Sequence, residues 1–139
     1  MVGDRTNEDH MKVTAALICA DGRIFIAQRP PGKKFALQWE FPGGKVEPNE
    51  GLRASLAREI REELGWEVRV GDLFHQLRHR CTDFSIELYA YWCTIIQGDL
   101  CLREHVRFHW ASIAELSQFD FTSADLEVVR CLARLEQLP

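Results

Sequence analysis

The chain has 139 residues, 46% of them hydrophobic, and a formal net charge of −4. That length is one domain's worth and long enough to bury a real core, and the apolar share is ordinary for a globular protein. The negative balance argues against a nucleic-acid polymer as partner, because such binders present a basic face, and no apolar run approaches a membrane span.

Met1 to Met11 are polar and lack the apolar region of a signal peptide, so they read as a flexible N-terminal tail before a single domain over residues 12–139. Val13 to Cys19 and Arg23 to Gln28 are apolar-rich, strand-length runs joined at Asp21-Gly22, a dipeptide favoured in two-residue hairpin turns. Gln38 to Phe41 is a short extended piece, and Pro42-Gly43-Gly44 is a turn in which backbone can approach a ligand closely. Asn49 is a good N-cap for a helix beginning near Glu50, and Gly65 a good stop after Leu64. Glu67 to Gln76, Phe84 to Ile96 and Val106 to Trp110 read as strands. Thr122 to Leu135 reads as an amphipathic helix through Leu126, Val129 and Leu132. Pattern alone therefore gives a mixed α/β domain. The five cysteines have no C-x-x-C spacing and an odd total, which points to reduced thiols in a cytoplasmic protein.

The helix after Asn49 carries the most informative feature. At about 100° per residue, Leu52, Leu56 and Ile60 define one apolar stripe with Leu64 at its edge. Glu59 and Glu63 border that stripe, and Glu62 lies beside them. Carboxylates converging next to apolar packing repel one another and lose hydration. A bound cation resolves the conflict, and ligation by oxygen without thiolate or imidazole suits Mg²⁺ or Mn²⁺ far better than Zn²⁺. The contrasting view is a solvated charged face held by intrahelical ion pairs.

Residues 44–66 resemble the Nudix hydrolase box, G-x5-E-x7-R-E-U-x-E-E-x-G-U, where U is a bulky apolar residue. Gly44 opens it, Glu50 and Arg58-Glu59 follow at the required spacing, and Ile60, Glu62-Glu63, Gly65 and Trp66 complete it. Only Trp66 is slightly off pattern, being aromatic where an aliphatic residue is commoner. The resemblance extends over roughly residues 12 to 136 and is closest to the MutT-like branch. It implies an α/β Nudix fold, a mixed β-sheet sandwiched between α-helices.

By that resemblance, Glu59, Glu62 and Glu63 hold divalent metal, with Glu63 the best candidate for a direct ligand and the Gly44 carbonyl contributing. Arg58 is expected to orient the carboxylates by bidentate hydrogen bonding. Glu50 is read as a structural residue of the loop. Lys45 and Arg29 are candidates for the substrate phosphates, each weighed against a plain solvated role. Glu104 matches a glutamate that MutT-like enzymes carry outside the box as extra metal ligand or general base; otherwise it is a loop residue paired with Arg103 or Arg107. His75, His79, His105 and His109 read as surface or partly buried residues. Asp125 is either part of a capping box with Thr122 or, matching a base-reading position of the branch, an acceptor for a nucleobase.

The chemistry implied is Mg²⁺-dependent hydrolysis of a small nucleoside triphosphate to a monophosphate and pyrophosphate, by a monomer or homodimer. ADP-ribose hydrolases tend to carry a proline where Cys81-Thr82 stands, and dinucleoside polyphosphate hydrolases a tyrosine near Thr82-Asp83-Phe84, so both alternatives are disfavoured. The strings around Arg29, Phe41 and Glu104 resemble the branch of CTP pyrophosphohydrolases and oxidised-nucleotide cleansing enzymes. A catalytically silent nucleotide-binding Nudix domain would be expected to have a degenerate box, and this one is intact.

Overall fold

The computed structural model describes residues 10–139. Its centre is strand β1 (His10–Ala20), which turns back through Asp21 and Gly22 into β2 (Arg23–Gln28). Both turn residues are left-handed, with φ of 53° and 77°, the backbone that a two-residue hairpin needs to match strand twist. β3 (Trp39–Glu40) and β7 (Arg107–Ala111) both pair antiparallel with β2. β4 (Gly43–Lys45) adds antiparallel to β1, so the glycine turn read from sequence is itself a short strand. β5 (Glu67–Arg80) and β6 (Ser85–Gln97) form a long antiparallel pair, and β6 runs parallel to β1. The sheet is therefore mixed, as expected.

Alternation along the strands supplies two apolar faces. Leu17, Ile24, Ile26 and Leu88 point to one side, where α2 (Ser123–Leu132) covers them with Val128, Val129 and Leu132. Ile18, Phe25, Tyr89 and Tyr91 point to the other, where α1 (Leu52–Leu64) inserts Leu56, Ile60 and Leu64. The expected sandwich of helices about the sheet is the architecture observed. Leu64 is fully buried, whereas Leu52 sits at the rim. Gly65 closes α1 at φ 78°, and its N–H donates to the Arg61 carbonyl.

Several boundaries differ from the sequence reading: β5 runs on from Gln76 to Arg80, and α2 stops at Leu132 instead of Leu135. His10 and Met11 belong to β1 instead of the tail, because the parallel ladder continues through the pairs His10↔Ser85 and Met11↔Ile86; the rest of the expected tail, residues 1–9, lies outside the described residues. Helix α1 starts at Leu52 with Gly51 in the N-cap position. Asn49 adopts φ 65° in the preceding turn and Glu50 is drawn towards Arg58, so neither starts the helix.

Because Ile60 is fully buried between α1 and the sheet, Ile60→Ala is expected to cost roughly 2–5 kcal/mol, read from the midpoint of urea unfolding.

Candidate active site

One cavity of about 340 Å³ opens between β1, the loop after β2, the start of α2 and the loop before β7. Its lining includes Glu63 from α1, Glu104 from the loop before β7, Glu40 from β3, and the backbone of Gly43 and Gly44. Phe35, Phe41, Phe84 and Leu88 supply apolar walls, and Asp125 closes the far side.

Helix geometry sets the acidic wall. Glu63 is carried next to the buried Leu64, so its carboxyl is held out of water and hydrogen-bonds to Glu59. Burial first, and then the neighbouring Glu59, Glu40 and Glu104 carboxylates, push the Glu63 carboxyl well above the ordinary carboxylate range. Its Oε1 is buried without a hydrogen-bond partner. The Glu59 carboxyl lies against Gly44 so closely that a Cβ there would stand 2.6 Å from it. A side chain at Gly44 would have to push that carboxyl aside.

Arg58 is the neutralising partner. Its Nε and Nη2 donate to the two oxygens of Glu50 at 2.8 and 3.0 Å, a bidentate pair that holds Glu50 below its usual pKa. Its Nη1 donates to Glu62 at 3.1 Å and lies 3.3 Å from Glu59. Glu62 is thereby turned outward, with its side chain 59% exposed. Glu104 is drawn towards Lys33 Nζ at 3.3 Å. Among the described residues no three acidic, histidine or cysteine side chains are already grouped as a closed metal cage. Mutual repulsion and these competing cations keep the wall open.

The expected phosphate contacts divide. Arg29 lines the cavity, donating to Glu40 at 3.2 Å and to the Lys34 carbonyl at 2.8 Å. Lys45 is exposed on β4 and is not among the residues that line the cavity. Sequence reasoning missed Lys33, which does line it, and also Glu40 and His105. The only sequence signal for Glu40 was its place just before Pro42-Gly43-Gly44. His105, read as surface or partly buried, has a side chain only 3% exposed and donates from Nε2 to Glu40 at 2.9 Å. With a carboxylate accepting, Nε2 carries the hydrogen.

Asp125 is not a helix cap. Thr122 stands at the N-cap without a side-chain hydrogen bond, and Asp125 turns inward to accept from the Phe41 N–H at 2.9 Å. Complete burial, reinforced by Glu40, raises its pKa to about 8. Its carboxyl therefore keeps a proton to higher pH than an ordinary aspartate does.

Comparison with known proteins fits this geometry. The profile of the NUDIX domain matches residues 13–130. The chain belongs to the Nudix family. It is 38% identical to a CTP pyrophosphohydrolase of Escherichia coli over 125 residues, 90% of this chain and 93% of that one. It is 36% identical to a putative 8-oxo-dGTP diphosphatase 2 of Mycobacterium tuberculosis, covering 88% of this chain and 87% of the relative. Its fold superposes on the crystal structure of a MutT protein from Methanosarcina mazei with a TM-score of 0.81, 26% identity, and coverage of 90% and 94%.

Nudix hydrolases generally require a divalent metal ion, and the acidic wall fits one. The orphaned Glu63 Oε1, the adjacent Glu59 carboxyl and the close glycine backbone form an all-oxygen donor set suited to a hard dication.

A pH signature follows for this Nudix domain without metal. When unfolded, Glu63 and Asp125 ionise in the ordinary carboxylate range, near 4.5 and 3.8; when folded, both stay protonated to higher pH, Asp125 to about 8. Between those limits the unfolded chain binds fewer protons, so stability falls as pH rises, by up to ~1.4 kcal/mol per pH unit for each group. Thermal melts in chelator from pH 5 to 8 are expected to show a falling Tm. Glu63→Gln is expected to flatten that slope and raise the Tm at pH 8.

Proposed function

We propose that this chain is a nucleoside triphosphate pyrophosphohydrolase that cleanses the nucleotide pool, converting an 8-oxo-dGTP or cytosine-type triphosphate and water into the monophosphate and pyrophosphate. As a Nudix hydrolase it acts on phosphoric anhydrides, and its relatives are named for CTP and 8-oxo-dGTP. One observation carries the substrate reading: Glu63 and the buried Asp125 line the same cavity, so a polyphosphate end and a base end share one site.

In this reading Glu59, Glu63, Glu104 and the Gly44 carbonyl hold the metal, and Glu62 joins them by leaving the outward position in which Arg58 holds it. Bound Mg²⁺ or Mn²⁺ supplies charge neutralisation for the polyphosphate and a more acidic water. Arg29 binds phosphate oxygens from the cavity wall. Glu104 takes the proton from the attacking water as the P–O bond to pyrophosphate breaks. With its carboxyl protonated, Asp125 offers one O–H donor and one acceptor. That pair complements the N3 and amino group of cytosine, and equally the carbonyl and N1–H of an oxidised guanine. Phe35, Phe41 and Phe84 provide apolar surface for the base.

A panel of natural and oxidised nucleotides with Mg²⁺ is expected to show pyrophosphate release, highest with 8-oxo-dGTP or a cytosine triphosphate. Absence of release from every member would leave only nucleotide binding. Glu63→Gln is expected to cut turnover by orders of magnitude with the fold retained, and near-normal turnover would refute the metal assignment.

Asp125→Asn is expected to change the ratio of kcat/KM between cytosine and 8-oxoguanine triphosphates. A constant ratio with only a shifted Tm would remove Asp125 from base reading.

A further inference from the structure

Glu104 sits on a loop, half exposed, and among the described residues its side chain is tied only to Lys33, itself 57% exposed. Such an exposed pair adds little and cannot fix a loop. What fixes the loop lies on either side of Glu104. Upstream, the Cys101 N–H donates to the Leu64 carbonyl at 2.8 Å and the Arg103 N–H to the Glu63 carbonyl at 3.1 Å, while Arg103 Nη1 reaches the Glu62 carbonyl at 3.0 Å. These bonds satisfy the last carbonyls of α1 and seat the loop on the helix that carries the acidic wall. Downstream, the Val106 N–H donates to the Gln28 carbonyl, and the buried His105 ring donates to Glu40. Glu40 in turn accepts from Arg29, the cavity's phosphate candidate. Nδ1 of His105 has no partner, so the bond to Glu40 is the ring's one polar tie among the described residues.

We propose that His105 is a positioning residue: through Glu40 it holds Glu104 opposite Glu63 and links that loop to the Arg29 guanidinium. The inference rests on the hydrolase reading above and deepens it. The imidazole suits the task because its Nε2–H is fixed in direction by a rigid ring packed out of water, whereas a flexible donor would let the loop swing. One side chain next to Glu104 thus sets two distances at once, from carboxylate to metal wall and from guanidinium to phosphate.

The test compares His105→Ala with His105→Gln, whose amide N–H reaches where the ring Nε2–H does. Removing a partner that orients a metal-site group typically costs about 10–100-fold. His105→Ala is expected to lower kcat by that factor at saturating Mg²⁺ with KM changed only a few-fold, and to weaken Mn²⁺ binding measured without substrate. His105→Gln is expected to recover most of both. An alanine variant with unchanged kcat overturns the proposal. So does a glutamine variant as slow as alanine with the same fall in Tm, since the ring would then serve the fold alone. If the wild-type protein releases no pyrophosphate from any nucleotide, the hydrolase reading fails by itself, and Mn²⁺ affinity decides the tether. Weakening by alanine with recovery by glutamine then supports it, and equal affinities refute it.

Discussion

The locking of α1 onto the sheet is the constraint from which the rest follows. Leu56, Ile60 and Leu64 are fully buried in one apolar cluster with residues of β1, β2, β5 and β6, and this fixes the rotation of the helix about its axis. Once that rotation is set, Glu59 and Glu63 have no freedom to turn to solvent. Their carboxyls must lie at the border of the core, and the energy of apolar burial offsets the repulsion between them. The acidic wall is therefore a strained feature maintained by packing elsewhere.

Arg58 limits how large that strain becomes. It bonds Glu50 in a fork, and it touches Glu59 and Glu62 with the same guanidinium. Glu50 is thereby converted from a potential competitor into an anchor for the arginine. The glycine pair of β4 completes the arrangement from the other side: Gly43 lies against Thr14 of β1 and Gly44 against Glu59, leaving no room for side chains. Charge, packing and backbone geometry thus converge on one acidic wall of the cavity.

Elements set by local chemistry were legible in the sequence. The Asp21-Gly22 hairpin, the Gly65 stop and the apolar stripe of α1 each depend on residues a few positions apart. The box residues were legible because their spacing is fixed by one loop and one helix. Contacts between distant segments were not. His105 meets Glu40 across the fold, and Asp125 meets the Phe41 N–H from the other helix. Nothing near either residue announces its partner, and capping chemistry offered Asp125 a local explanation that tertiary structure overrode. Its protonation was also hidden, since burial and not residue type sets it. The start of α1 was misplaced for a similar reason, because Arg58 captures Glu50 from two turns away.

The parallel pairing of β1 with β6 has a consequence for how the molecule comes into being. Residues 10–18 pair with residues 85–93, more than half the chain's length away, and no local turn can nucleate that ladder. Closing so long a loop costs entropy before any contact repays it. The hairpin of β1 and β2 and the pair β5 and β6 can form on their own, but the cavity needs both joined. The pocket beside the acidic helix therefore exists only once this least local pairing has formed.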